Sequence, residues 1–90
     1  MTTENITISK TAYTEIAAIG AAGIYSNPNS DYIYIAYSVL IPDVTLKGHP
    51  IPPFLGDDFR LSPNETMAIW ARLVDDALSE SGVVAVTIGW

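Results

Sequence analysis

Asp57-Asp58 and Asp75-Asp76 are the clustered carboxylates of this 90-residue chain, and His49 is its one imidazole. Calcium takes roughly six to eight oxygen ligands, usually from acidic residues alternating around a glycine. Adjacent aspartates do not make that shell, so both pairs read as solvated turns. A glycosidase needs two carboxylates facing each other across a groove, one with a raised pKa. Ten acidic residues on so small a chain produce such pairs by chance. His49 lies in the proline-rich stretch KGHPIPPF, with no G-x-S-x-G elbow to supply a nucleophile beside it. It reads as a loop histidine that bonds backbone or meets a neighbour. The glycines of IGAAGIY (19–25) miss the spacing of a phosphate loop and suit a bend or bulge. NIT (5–7) and NET (64–66) match the glycosylation triplet, which matters only on a secretory route. No catalytic constellation emerges. The expectation is a non-enzyme with no metal and no cofactor.

Composition narrows the partners. The chain has ten acidic and four basic residues, a net charge of −6. A nucleic-acid binder neutralises phosphates with Lys and Arg, so that class is set aside. The same deficit argues against docking on anionic membranes. No apolar run approaches the roughly 20 residues of a membrane-spanning helix, and the polar start MTTENITISK has no signal-peptide core. The chain is therefore expected to be soluble and unprocessed as written. The absence of cysteine removes disulfides, zinc ribbons and thiol catalysis. A single domain of this length buries only about 60–65 % of its unfolded surface, so neighbouring subunits are the remaining source of stability. Hydrophobic residues make up 49 % and charged ones 16 %, which leaves apolar groups for the surface.

The elements that must position these residues read mostly as strands. ENITIS places Ile6 and Ile8 on one face, and AYTEIA continues it after a bend. DYIYIAYSVLI (31–41) alternates Ile33, Ile35, Tyr37, Val39 and Ile41 against Tyr32, Tyr34, Ala36 and Ser38. The turn formers SNPNS (26–30) join GIYS to DYIYIA as a β-hairpin. Residues 42–58 hold four of the six prolines and cannot form a central strand. They read as an ordered loop with an edge strand around Val44 to Leu46. GVVAVTIGW closes the chain as a strand with Val84, Val86 and Ile88 on one face. No repeat or linker divides residues 1–90 into two domains.

LSPNETMAIWARLVDD (61–76) fits two templates. As a helix, Ser62 caps, Pro63 opens the first turn and Glu65 closes a capping box, but Ile69 falls on the polar side. As a strand, Met67, Ile69, Ala71 and Leu73 share one face, with Thr66, Ala68, Trp70 and Arg72 on the other. Periodicity alone leaves both open.

Segments across residues 5–90 resemble the small β-sandwich virion proteins of tailed bacteriophages. They are YTEIA (13–17), the segment GIYSNPNSDYIYIAYS, the turn with Phe59, Leu61, Pro63 and Glu65, and IWAR (69–72) followed by VAVT-x-G (84–89). Two departures are Asn64, where the family's turn carries glycine, and the long, helix-tolerant gap LVDDALSES. The resemblance implies that 66–74 is a strand and that IWAR pairs with VAVT. The expected fold is an all-β, small antiparallel β-sandwich or barrel, with room for one short helical turn near 75–80.

The candidate interaction surface is aromatic: Tyr32, Tyr34, Trp70 and Trp90. The first three fall opposite the core face of their strands. Tyr and Trp give large contact area at low entropic cost. The plainer alternative is that both sheet faces are buried and these rings cover core. The resemblance implies a structural protein of the virion, assembled in the host bacterial cytoplasm. In that role it is a capsid decoration or cement protein, or the base of a head fibre. It would bind the major capsid protein or other virion proteins as a homo-oligomer, with a trimer favoured. A neck, tail or tail-fibre protein is the first alternative. A small carbohydrate-binding module is the second, and it requires two or three exposed aromatics on one face.

Overall fold

The computed structural model describes residues 2–18, 20–61 and 66–89. Eight strands form two four-stranded antiparallel sheets packed as a β-sandwich: β1 (Thr2–Ser9), β2 (Thr14–Ala17), β3 (Ala22–Ser26), β4 (Ile33–Ser38), β5 (His49–Ile51), β6 (Gly56–Arg60), β7 (Ala68–Leu73) and β8 (Ser81–Ile88). One sheet has the order β1-β8-β3-β6 and the other β2-β7-β4-β5. Ile8, Tyr25, Phe59, Val84 and Val86 from the first sheet meet Ile16, Ile33, Ile35, Ile69 and Leu73 from the second. These positions alternate along each strand because a strand's side chains point to opposite faces with period two.

IWAR lies in strand β7, so the strand template holds over residues 68–73, a shorter span than the expected 66–74. Ser62, Pro63, Asn64 and Glu65, the proposed cap and box, lie outside the described residues. There is no helix among the described residues. The helix-tolerant stretch after β7 begins instead with a tight turn closed by Ala77 N–H donating to Val74 O at 3.2 Å.

Pairing departs from the sequence expectations in four places. First, β7 pairs with β2 and β4, whereas β8 pairs with β1 and β3 in the opposite sheet, so IWAR and VAVT are not neighbours in a ladder. Second, SNPNS crosses from one sheet to the other, so β3 and β4 form an arch and not a hairpin. Buried Asn27 holds that arch. Its Nδ2 donates to the carbonyls of Asp31, Ile51 and Pro52 at 2.9–3.1 Å, and its Oδ1 accepts from Asn29 N and Nδ2. Asn29 also pairs with both backbone groups of Val83 on β8. An added Cβ at Gly82 would stand 2.5 Å from Asn29 Oδ1, so a larger residue there would displace the Asn29 amide from the clasp.

Third, the edge strand of the proline-rich segment is at 49–51, and a second one, β6, follows. Val44 lies in a turn instead, closed by Leu46 N–H donating to Asp43 O. Both strands sit at sheet edges, where Pro50 costs no ladder bond. Fourth, β4 stops at Ser38, because its ladder with β7 ends at Ala68 and its ladder with β5 ends earlier. Val39 and Ile41, expected on the core face, are exposed, and Tyr37 is half-exposed.

Candidate interaction surface

The outer face of the second sheet carries Trp70 and Arg72 on β7, Tyr34 and Ala36 on β4, and Glu15 on β2. Facing pairs are Arg72 with Tyr34, and Trp70 with Ala36 and Glu15. A β-bulge between Glu15 and Ala17 lets Ile16 and Ala17 both turn into the core while Glu15 stays outside.

Arg72 is fully buried on this outer face. Its guanidinium lies 4.8 Å from the Tyr34 ring centroid and 5.3 Å from that of Tyr13, within cation–π range of both. Nη1 donates to Leu73 O and to Asp75 Oδ1, at 3.0 and 2.8 Å, and Nη2 donates to Leu46 O at 3.4 Å. Nε has no partner among the described residues. A buried cation is costly unless paired, and here two aromatic faces, one carboxylate and two carbonyls share that role.

The group that closes over Arg72 is the loop after β4. Tyr13 Oη donates to Leu46 O at 2.6 Å and accepts from Gly48 N at 3.2 Å. A Cβ at Gly48 would run into the Ile35 carbonyl, so glycine lets the loop press against β4. Within the loop, Asp43 Oδ1 accepts from Thr45 N and Oγ1 at 2.8 and 2.7 Å. These two bonds, the backbone one first, hold the Asp43 carboxyl below its ordinary range. The loop is thus fixed from beneath by polar groups while its apolar side chains face outward. Val39, Leu40, Ile41, Val44 and Leu46 are 55, 75, 59, 39 and 48 % exposed.

The sequence candidates divide accordingly. Tyr34 and Trp70 do lie on one outer face, but both are half-buried. Tyr34 covers Arg72, and Trp70 Nε1 donates to Ser38 O at 3.1 Å. Tyr32, next to β4, is about half-exposed, with its carbonyl accepting from Val74 N. Trp90 lies outside the described residues. Tyr13, Arg72 and the ridge from Val39 to Leu46 were not singled out from sequence. The available signal was Arg72, a cation set between apolar neighbours on the same strand face as Trp70.

The paired aspartates lie apart, one pair on β6 and the other in the turn after β7. Asp57 and Asp58 are exposed on β6 near Tyr25 and Tyr37. Burial, then the neighbouring Tyr37 and the two aspartates, push the Tyr25 phenol up to about 12. Its ring stacks on Phe59 at 6.2 Å between centroids. Asp75 serves Arg72, and His49 is exposed at the start of β5. A cavity of about 70 Å³ between the sheets is lined by Glu4, Ile6, Ile16, Val86 and Ile88, with one carboxylate and no second polar side chain converging on it. Comparison with protein-family models, with curated proteins and with solved structures gives no match for the chain.

Proposed function

We propose that the protein is a non-enzymatic structural component of a tailed-phage virion. In this reading it is a capsid decoration or cement protein, or the base of a head fibre, that binds neighbouring virion subunits through the ridge from Val39 to Leu46. The observation that carries the reading is this ridge: five large aliphatic side chains exposed on a loop pinned by Tyr13 and Arg72. Large exposed apolar patches mark protein–protein contact sites, and exposed aliphatic side chains concentrated on one ordered loop are a candidate for one. A loop already ordered loses little conformational entropy on docking, so more of the burial energy appears as affinity. The phage context rests on the family resemblance of the quoted segments. The net charge of −6 favours solubility away from the docked face.

The carbohydrate-binding alternative needs a flat set of exposed rings. Trp70 and Tyr34 are instead held in hydrogen-bond and cation–π contacts, which leaves Tyr32 alone beside them. The test is co-sedimentation of the purified protein with heads and, separately, with tails from the phage whose genome encodes it. Binding to heads that is lost in Leu40→Asp, with an unchanged thermal melt, is the expected result. Binding to tails alone would move the protein to the neck or tail, and binding to neither refutes the proposal.

A further inference from the structure

The four sheet edges are not equally protected. Natural sheets blunt exposed edges with short strands, prolines, bulges and charges. Strand β5 is three residues long and contains Pro50, and β2 is four residues long with a bulge. Strand β6 carries Asp57, Asp58 and Arg60, all exposed. Strand β1 is not short, has no proline and no bulge, and of these devices carries a single charge. It is eight residues long, pairs with β8 in unbroken register from Thr2 to Ser9, and contains one charge, Glu4. Lys10, just past its end, is turned back to Ala77 O and Glu80. Among the described residues no strand pairs with its outer side.

The parity of β1 identifies what that outer side offers. Lys10 N–H donates to Glu80 O, continuing the β1–β8 register by one position. In an antiparallel ladder, hydrogen-bonded pairs alternate along the strand. The even-numbered residues of β1 therefore bond β8, and Thr3, Asn5 and Thr7 direct their N–H and C=O groups to the free edge. Their side chains lie on the outer face of the sheet, where Thr3 Oγ1 meets Thr87 Oγ1 at 2.8 Å.

We infer that the β1 edge is a docking site for a second copy of this chain, paired antiparallel across a two-fold axis through Asn5. This register sets Asn5 against the partner's Asn5 and Thr3 against the partner's Thr7. It forms about six backbone hydrogen bonds, two for each facing pair. All facing side chains on the outer face are uncharged and can bond one another. Glu4 falls opposite the partner's Ile6, whereas a two-fold through Glu4 would oppose like charges and is disfavoured. A closed two-fold contact uses the same strand twice and leaves this edge covered in both copies. The β1-β8-β3-β6 sheets of the two copies would become one continuous eight-stranded sheet. The inference is independent of which partner meets the 39–46 ridge.

The test is light scattering over a concentration series, with amide hydrogen exchange read at low and high concentration. Expected are a monomer–dimer equilibrium and slowed exchange at Thr3, Asn5 and Thr7 in the dimer only. The amides of Glu4 and Ile6, already bonded to β8, should change little. Asn5→Pro removes an edge-facing N–H and no β8 bond, so it should abolish the dimer while the monomer still melts cooperatively. Asn5→Lys, a second variant that sets cations against each other across the axis, should weaken dimerisation at least tenfold. A monomer at every concentration overturns the inference. So does a dimer or trimer whose formation leaves those three amides unprotected or survives both substitutions.

Discussion

Tyr13→Phe removes a single oxygen that carries the loop over Arg72. The ring remains to face the guanidinium, so the cation–π contact is preserved and the change isolates the hydroxyl. Two bonds are lost: donation to Leu46 O at 2.6 Å and acceptance from Gly48 N at 3.2 Å. Leu46 O keeps its bond from Arg72 Nη2, and Gly48 is only half-buried, so water recovers part of the second loss. At a net value of about 1 kcal/mol for a typical bond, the expected destabilisation is about 1–2 kcal/mol. For a domain of this size that corresponds to a drop in Tm of roughly 5–15 °C. Thermal melts followed by circular dichroism measure it, and hydrogen exchange should show Gly48 opening at least tenfold more often. An unchanged Tm together with unchanged exchange at Gly48 would refute the claim that Tyr13 fixes the ridge.

The remaining predictions concern the arch and the core phenol. Asn27→Ala strips donors from three carbonyls and an acceptor from Asn29, so it should cost about 3 kcal/mol in a denaturant titration. Combined with Gly82→Ala, which crowds Asn29 Oδ1, the losses should be less than additive because both act on one clasp. The Tyr25 phenol sits at about 12 in the folded protein against about 10 unfolded. Its contribution to stability is therefore complete below about pH 10 and lost as pH rises through about 12. A denaturation midpoint that falls over that interval, with a smaller slope in Tyr25→Phe, is the expected pattern.

Strand identity was legible in the sequence because it is local. Ile6 with Ile8, Ile33 with Ile35, Ile69 with Ala71 and Leu73, and Val84 with Val86 each announce a buried face by period two. Pairing was not legible, because it joins residues far apart. Of the strands that follow each other in the chain, only β4 and β5 pair in one sheet. Turn composition at 26–30 signals a reversal but not which sheet receives the chain, and the long-range bonds of Asn27 and Asn29 decide that. The ridge was misread for a related reason. Val39 and Ile41 continue the alternation of β4 perfectly, yet among the described residues no partner strand extends beyond Ser38, so the pattern outlasts the strand. Arg72 was placed on the correct face, but its burial depends on Tyr13 and the 42–48 loop, which meet it only in three dimensions.

Hydrogen exchange of the protein mixed with phage heads, compared with the free protein, tests the proposed docking surface most directly. Slower exchange confined to the amides of residues 39–48, above any change at the β1 edge, is the expected result. Protection centred on another face, with 39–48 exchanging as in the free protein, would contradict the account.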